Sequence, residues 1–200
     1  MGGTIPVVIM AGGAGQRMGG SKPSQSVAGE TLLNHAIASA KCYSHIVAIA
    51  PGSQKFSLPQ EIRLLPDEID SQGPIAGLQA AIQFGTELGA RHVMIMPCDT
   101  PFLPDELLTL LQKGIGTAQS AVPQYAGCLH PACSLWSTEI LGLLREYVAT
   151  GRRSLIGFAE AAEYVTVEIP TISYDLFFNI NTVKDMARAE RIFSDLNLHK

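Results

Sequence analysis

The sequence predicts an α/β fold with a mostly parallel β-sheet, and two observations support this prediction. Short apolar segments of strand length alternate along the chain with amphipathic segments of helical period, the pattern of successive βαβ units. The chain has 200 residues, of which 46% are hydrophobic, so it is long enough to bury one core of ordinary size. Since no repeat, low-complexity tract or long linker divides it, residues 1–200 are expected to form a single domain.

Seven strands and six helices are predicted in alternation. The predicted strands are Ile5–Met10, His45–Ala50, Ile62–Leu65, Val93–Pro97, Ala118–Val122, Ala132–Leu135 and Tyr164–Ile169. The predicted helices are Thr31–Lys41, Pro74–Leu88, Pro104–Leu111, Thr138–Ala149, Ser154–Ala162 and Thr182–Phe193. Two helices carry clear start signals, because Pro104 suits a first helical turn and Thr182 can cap the last helix with Asp185 three residues on.

Composition and charge exclude several classes of protein. A net charge of −4 argues against a general nucleic-acid binder. No apolar run reaches the length of a transmembrane helix, and Ile5–Met10 is too short for a signal peptide, so a cytoplasmic protein without membrane contact is expected. Cys42, Cys98, Cys128 and Cys133 form no Cys-x-x-Cys pair, which predicts free, buried thiols rather than a zinc site or a disulfide framework.

The most informative segment is the glycine-rich loop after the first predicted strand. Glycines allow the backbone to approach a ligand and turn its N–H groups inward, while Arg17 and Lys22 add positive charge for phosphate. The loop is neither a Walker loop, because Ser21 holds the lysine position, nor a Rossmann fingerprint, because Met18 replaces the third glycine. We expect an irregular loop from Ala11 to Gly29 and a site for a nucleoside triphosphate.

A second group centres on Asp99, which follows the predicted strand Val93–Pro97. Ligands of open α/β sheets bind beyond the carboxyl ends of the strands, so Asp99 is expected at the same edge as the glycine loop. A carboxylate there is the ligand that Mg²⁺ bound to phosphates requires. The alternative is that Asp99 is a turn residue that caps the helix near Pro104.

Two further groups have both a structural and a functional interpretation. Asp67 follows the predicted strand Ile62–Leu65, and Gly73 opens a helix whose free N–H groups favour anions or the acceptor atoms of a base. Asn179 and Asn181 flank Ile180 in what is expected to be a short strand leading into a capped helix. Their amides either contact a ligand, or complete a metal shell, or act as turn formers and caps.

The motifs together resemble a known family. Ala11-Gly12-Gly13, Arg17-Met18-Gly19 and Lys22 match, in order, the signature of nucleotidyltransferases with a Rossmann-like fold. The further motifs resemble the MobA-type branch, the molybdenum cofactor guanylyltransferases. These are Gly-Pro-Ile-Ala-Gly at 73–77, Pro-Cys-Asp-Thr-Pro at 97–101, His-Pro at 130–131, Gly-Arg-Arg at 151–153 and Asn-Ile-Asn-Thr at 179–182.

The resemblance implies a three-layer α/β/α fold and a Mg²⁺-dependent reaction. In that reaction GMP passes from GTP to the terminal phosphate of the molybdopterin cofactor, giving the guanine dinucleotide cofactor and pyrophosphate. It also implies GTP and the pterin cofactor as binding partners, with a molybdoenzyme or cofactor-insertion machinery as a further possible partner.

The resemblance also implies roles for individual residues. Arg17, Lys22 and Asp99 would serve catalysis, with Asp99 holding the metal. The nucleotide would be bound by Met10, Ala11, Gly12, Gly13, Lys22, Asp67, Gly73 and Asp99. The pterin side would be formed by His130, Arg153, Asn179 and Asn181.

Two alternatives remain open. Some family members carry a nucleotide-contacting asparagine where Ile49 stands here, so a cytidylyltransferase acting on a pterin, isoprenoid or sugar phosphate is the first alternative. The second is a non-catalytic module that binds a nucleotide or cofactor. Retention of both Lys22 and Asp99 argues against such a module, since a pure binder needs no metal carboxylate.

Overall fold

The computed structural model describes residues 4–12, 22–51, 58–66 and 73–198. Its strands are β1 (Val7–Met10), β2 (Ser26–Val27), β3 (Glu30–Thr31), β4 (Val47–Ala50), β5 (Arg63–Leu64), β6 (His92–Pro97), β7 (Ser120–Tyr125), β8 (Cys128–Leu129), β9 (Leu135–Ser137) and β10 (Val165–Glu168). Its helices are α1 (Leu32–Tyr43), α2 (Pro74–Glu87), α3 (Leu107–Gly114), α4 (Leu141–Ala149), α5 (Leu155–Ala161) and α6 (Val183–Leu198).

Eight strands form one mixed, mostly parallel sheet in the order β10-β7-β9-β6-β1-β4-β5, with β8 paired to β7 outside this path. The central strand β1 is parallel to both β4 and β6, while β9 runs antiparallel to β6 and β7. The chain passes from β1 to β4 on one side and returns to β6 on the other. The point between β1 and β6 is therefore a topological switch point, where open α/β sheets bind ligands.

The central strands are buried on both faces, which explains why they read as continuous apolar runs. In β1, Val7 and Ile9 enter one hydrophobic cluster with α1 and α3, whereas Val8 enters the cluster formed with α2, α4 and α5. Strand β6 alternates in the same way, with Met94 facing the first cluster and Ile95 the second. The result is the predicted three-layer α/β/α arrangement.

Two helices are capped by the residue at which the sequence predicted them to begin. The Thr31 hydroxyl accepts a hydrogen bond from the Asn34 N–H at 3.1 Å, and Ser154 caps α5 through the Gly157 N–H at 3.2 Å. Each cap satisfies one of the N–H groups that a helix start leaves without a partner. No helix among the described residues is both long enough and apolar enough to cross a membrane. The cellular location stays a prediction from the sequence, as does the single domain.

The expected loop from Ala11 to Gly29 is wrong in its second half. Residues 22–24 form a 3₁₀ turn, and β2 and β3 pair as an antiparallel hairpin. The hairpin turn needs two residues with positive φ, and Ala28 (φ 51°) and Gly29 (φ 84°) supply them. Alanine rarely adopts this conformation, so the sequence carried no recognisable turn signal.

Other boundaries also differ from the prediction. The predicted strand Ala132–Leu135 is instead a 3₁₀ turn at Pro131–Cys133 followed by β9, because Pro131 begins the turn. Helix α3 begins at Leu107 rather than Pro104, whose carbonyl accepts the Leu107 N–H at 3.0 Å. Residues 178–181 form no strand.

The prediction of free, buried thiols is half right. All four cysteines are free, and Cys98 and Cys133 are buried, but Cys42 and Cys128 are exposed. Cys42 lies in the last turn of α1 and Cys128 in the short strand β8, and both elements face solvent at these positions.

Candidate functional site

The candidate site lies where the central strands β1 and β6 end. Met10 and Pro97 are register partners at the last positions of these two strands. The Cys98 N–H donates to the Met10 carbonyl at 3.3 Å, and the Ala11 N–H donates to the Ala50 carbonyl at 3.0 Å. These bonds hold both chain exits at one edge of the sheet, as the sequence predicted for the glycine loop and Asp99.

Asp99 is the first carboxylate beyond β6 and is only 7% exposed. Its backbone carbonyl accepts the Ile180 N–H at 2.9 Å, which attaches the segment 179–181 to the end of the central sheet. Its Oδ2 forms an ion pair with the Lys22 ammonium. Its Oδ1 is buried and has no hydrogen-bond partner among the described residues. A buried charge with one unused oxygen is costly, so Asp99 has the features of a ligand-binding carboxylate.

Lys22 is the centre of the polar cluster. Besides Asp99, its Nζ donates to Asn181 Oδ1 at 2.5 Å and to Asn179 Oδ1 at 3.2 Å. These partners lie about 160 residues further along the chain, and only the tertiary fold brings them together. We call Lys22, Asp99, Asn179 and Asn181 the lysine cluster.

Both asparagines therefore offer side-chain oxygens to a cation, which favours the functional interpretation over that of turn formers and caps. The capping function belongs to their neighbours. The Thr182 hydroxyl accepts the Asp185 N–H at 3.2 Å, as predicted for the start of the last helix. Asp185 Oδ2 accepts in turn from the Thr182 hydroxyl at 2.9 Å and from the Asn181 N–H at 3.0 Å.

Asp185 is thus a supporting residue whose link to the site the sequence analysis missed. Slight burial acts to raise the pKa of its carboxyl, but the hydrogen bonds from Thr182 and Asn181 lower this pKa below its usual value. The Thr-x-x-Asp spacing signalled a helix start. Only the structure shows that the same carboxylate fixes the backbone of a residue that contacts Lys22.

The amino end of α2 lies beside the end of β1. Gly73 has a φ of 106°, a conformation that glycine adopts without strain, and Pro74 follows as the first helical residue. A Cβ on Gly77, in the first turn, would lie 2.8 Å from the Met10 Sδ. The first turn of α2 therefore packs directly on the last residue of β1, and Gly73 lies at the same edge of the sheet as the end of β1.

His130 and Arg153 make no hydrogen bond or ion pair with the lysine cluster. The His130 ring stacks on the Phe177 ring with the centroids 4.2 Å apart. Burial lowers the pKa of His130, while the charge of Asp175 acts to raise it. Arg153 donates to the Val148 and Arg152 carbonyls, each at 2.8 Å, and so binds the end of α4. Their assignment to the pterin side stays a prediction.

Three predicted site residues, Gly13, Arg17 and Asp67, lie outside the described residues. Their roles also stay predictions. Ile49, where some relatives carry an asparagine, is completely buried in the first hydrophobic cluster and pairs with Ile9 and Leu64. The side chain at this position points into the core.

The lysine cluster offers one carboxylate and two amide oxygens, the hard donors that Mg²⁺ prefers. No group of three or more His, Cys, Asp or Glu able to hold a metal occurs within the described parts of the chain. The cluster therefore suits a cation that is also bound by substrate oxygens, because Mg²⁺ takes few protein ligands when phosphates supply the rest.

A cysteine nucleophile does not fit this edge of the sheet. Burial, with a smaller effect from the neighbouring Asp99, raises the pKa of the Cys98 thiol to about 12. Burial also raises the pKa of Cys133. Thiols with such pKa values stay protonated at neutral pH and are poor nucleophiles.

Comparisons with known proteins identify the family of this chain. The family model described as MobA-like NTP transferase domain matches residues 7–164. The molybdenum cofactor guanylyltransferase of Rhodopseudomonas palustris (strain BisB5) is 33% identical over 199 residues, with 94% of this chain and 93% of that protein covered. That of Histophilus somni (strain 2336) is 30% identical over 197 residues, with 96% and 98% covered.

Solved structures show the same fold. Molybdopterin-guanine dinucleotide biosynthesis protein A from Archaeoglobus fulgidus aligns with a TM-score of 0.78 at 22% identity, covering 96% of this chain and all of that one. The 2-C-methyl-D-erythritol 4-phosphate cytidylyltransferase of Thermus thermophilus aligns with a TM-score of 0.66 at 15% identity, covering 96% and 100%. With the family model spanning most of its length, this chain belongs to the MobA-like NTP transferases and is a nucleotidyltransferase of that type.

Proposed function

We propose that this protein transfers GMP from GTP to the terminal phosphate of the molybdopterin cofactor, with release of pyrophosphate. The observation that carries the proposal is the contact between Lys22 and Asp99 at the switch point between β1 and β6. A phosphate-binding cation and a metal-binding carboxylate at one strand edge are what a triphosphate substrate requires. Relatives at about a third identity are named guanylyltransferases of the same cofactor, which supports the choice of substrates.

The residues have distinct tasks in this reaction. Asp99 and the amide oxygens of the lysine cluster would hold Mg²⁺, which when bound neutralises charge on the phosphates. Lys22 binds a phosphate group of the nucleotide, and the positive end of the α2 helix dipole favours further negatively charged groups of the substrate. Arg17 is proposed to add a second positive charge.

No general base is needed in this mechanism. The attacking group is a phosphate monoester, whose second pKa of about 6 leaves it ionised at neutral pH. The phosphate oxygen attacks the α-phosphorus of GTP, and the bond from that phosphorus to the pyrophosphate oxygen breaks. The work of the protein is therefore to position the two substrates in line and to stabilise the growing negative charge.

The test is release of pyrophosphate from mixtures of the protein, Mg²⁺, the molybdopterin cofactor and either GTP or CTP. Release with GTP and not with CTP is the expected result. Release with CTP alone would instead identify a cytidylyltransferase. If neither nucleotide releases pyrophosphate while both substrates bind, the proposed reaction is wrong.

Binding is measured separately by thermal unfolding. A nucleotide present at a hundred times its Kd stabilises the folded protein by about 2.7 kcal/mol. Because the tighter ligand stabilises more at equal concentration, GTP is expected to raise the midpoint temperature of unfolding more than CTP does. Equal shifts for both nucleotides would contradict selection of the base in the binding step.

A further inference from the structure

The lysine cluster has an arrangement that the proposed reaction does not by itself explain. The ammonium of Lys22 contacts Asp99 Oδ2 and the side-chain oxygens of Asn179 and Asn181. These are the same oxygens that suit Mg²⁺. The lysine and its carboxylate partner are both largely buried, with side-chain exposures of 15% and 11%.

The ammonium and a divalent cation cannot share all these oxygens. Nζ already lies 2.5 Å from Asn181 Oδ1, and Mg²⁺ requires oxygen ligands at about 2.1 Å. Two positive charges at such short range in a largely buried position also repel strongly. The Asp99 Oδ1 atom, buried and without a partner among the described residues, shows that Lys22 satisfies only one side of the carboxylate.

We propose that Lys22 is an internal counter-cation that competes with the divalent metal for the oxygens of Asp99, Asn179 and Asn181. This inference rests on the proposed function, in which a nucleoside triphosphate binds at this site. The phosphates of the bound nucleotide draw the Lys22 ammonium away from the oxygens and bring the metal with them. The metal then takes the place of the lysine, so the positive charge beside Asp99 is retained throughout.

The proposal makes metal and nucleotide binding cooperative. A triphosphate that removes Lys22 raises the affinity for the metal, and by linkage the metal raises the affinity for the triphosphate by the same factor. Without a nucleotide, the metal must displace the lysine unaided. The wild-type protein is therefore expected to bind Mn²⁺, a spectroscopic substitute for Mg²⁺, only weakly when no nucleotide is added.

The experiment measures Mn²⁺ binding by electron paramagnetic resonance, with and without the α,β-methylene analogues of GTP and CTP. Lys22→Met removes the ammonium, and the expected result is a nucleotide-free Mn²⁺ affinity at least about tenfold higher than in the wild type, since the metal no longer meets a like charge. Lys22→Gln, which keeps an N–H donor for Asp99, serves as a second variant if the methionine leaves the carboxylate too poorly satisfied for folding. Lys41→Met is the matched control, because Lys41 also pairs with a carboxylate, Glu61, but on the exposed surface.

A second substitution separates displacement from simple charge repulsion. If the metal takes the place of the ammonium, Asn181→Ala in the Lys22→Met background lowers the Mn²⁺ affinity again. An unchanged affinity in that double variant would mean that the cation does not occupy the position of the ammonium beside Asn181. This result would overturn the proposal.

The remaining outcomes distinguish this inference from the proposed function. Nucleotide-dependent Mn²⁺ binding in the wild type, with no gain in nucleotide-free affinity for either Lys22 variant, would overturn the competition and leave the proposed function standing. If neither the wild type nor any variant binds Mn²⁺ with either analogue, Asp99 does not hold a metal. Both proposals then fail.

Discussion

Asp99 and Lys22 form a largely buried ion pair, and the desolvation of the two charges offsets much of their attraction, so the pair contributes little to the stability of the fold. Its role is therefore in binding at the site rather than in stabilising the core. The Asp99 backbone carbonyl is bound by the Ile180 N–H, so the main chain of this residue is held whatever its side chain contacts. The side chain can therefore change partners without disturbing the turn.

Substituting Asp99 tests the metal role at the residue scale. We expect Asp99→Asn to fold normally, because the amide is nearly isosteric and Asn179 and Asn181 still accept from the Lys22 ammonium. Turnover is expected to fall by about a hundredfold or more, as when a charge-stabilising group is removed from an active site. Steady-state kinetics and thermal unfolding measure the two effects.

The control for this variant is Asp105→Asn, which makes the same change at an exposed position six residues further along the chain. It is expected to retain full turnover. Normal Mg²⁺-dependent turnover in Asp99→Asn would show that this carboxylate does not hold the metal.

At the scale of elements, helix α2 places its amino end beside β1 by packing closely on the sheet. A Cβ on Gly85 would lie 2.7 Å from the Thr138 Cγ2 and 3.3 Å from the Val93 Cβ. The glycine is thus required by close approach, since a side chain there has no room between α2 and β6.

Two glycine substitutions in helices test this packing. Gly85→Ala is expected to lower the free energy of unfolding by about 1–3 kcal/mol, because an added methyl group overfills a close-packed interface. Gly142→Ala in α4 is the matched control, since its Cβ would meet nothing within 4 Å. There, the better helix propensity of alanine is expected to stabilise the protein by up to about 1 kcal/mol.

Denaturant unfolding of both variants measures these changes. The two effects have opposite signs, so a general effect of alanine in helices cannot produce both. Stabilisation by Gly85→Ala would contradict close packing between α2 and the sheet.

At the scale of the whole molecule, helix α6 joins parts of the chain that form the site. A small hydrophobic cluster contains Val27 of the hairpin, Phe102 of the turn after Asp99, and Phe178 and Ile180 beside the asparagines. Phe193 of α6 stacks on His35 and packs against Phe102, and in each pair the ring centroids are 4.7 Å apart. Glu190, also in α6, accepts the Ala28 N–H of the hairpin at 2.8 Å.

Because α6 fastens these segments together, a change in it should reach the site. We expect Phe193→Ala to destabilise the protein by about 2 kcal/mol, somewhat less than for a fully buried phenylalanine. It should also weaken GTP binding, since the segments that carry Lys22 and Asp99 lose a common support. Isothermal titration and thermal unfolding measure the two effects.

Val183→Ala is the control within the same helix, because its side chain is 71% exposed. This variant should leave both stability and GTP binding close to those of the wild type. Loss of stability in Phe193→Ala with unchanged GTP affinity would show that α6 stabilises the fold without supporting the site.

The sequence alone was sufficient for the α/β class, the family and the shared edge of Lys22 and Asp99. Central strands such as β1 and β6 are recognisable because they are buried on both faces, and the carboxyl ends of adjacent parallel strands must meet. The hairpin turn at Ala28 and Gly29 escaped prediction because positive φ at alanine depends on its surroundings and not on its own preference.

The exact partners within the site also required the tertiary structure. Local sequence left Asn179 and Asn181 divided between turn formers and ligands, and only contacts across about 160 residues assign their oxygens to Lys22. The Thr-x-x-Asp pattern predicted the cap of α6 but not that Asp185 holds Asn181. Local patterns determine strands, helices and caps through short-range sterics, whereas the set of atoms around one ammonium group depends on how distant segments pack.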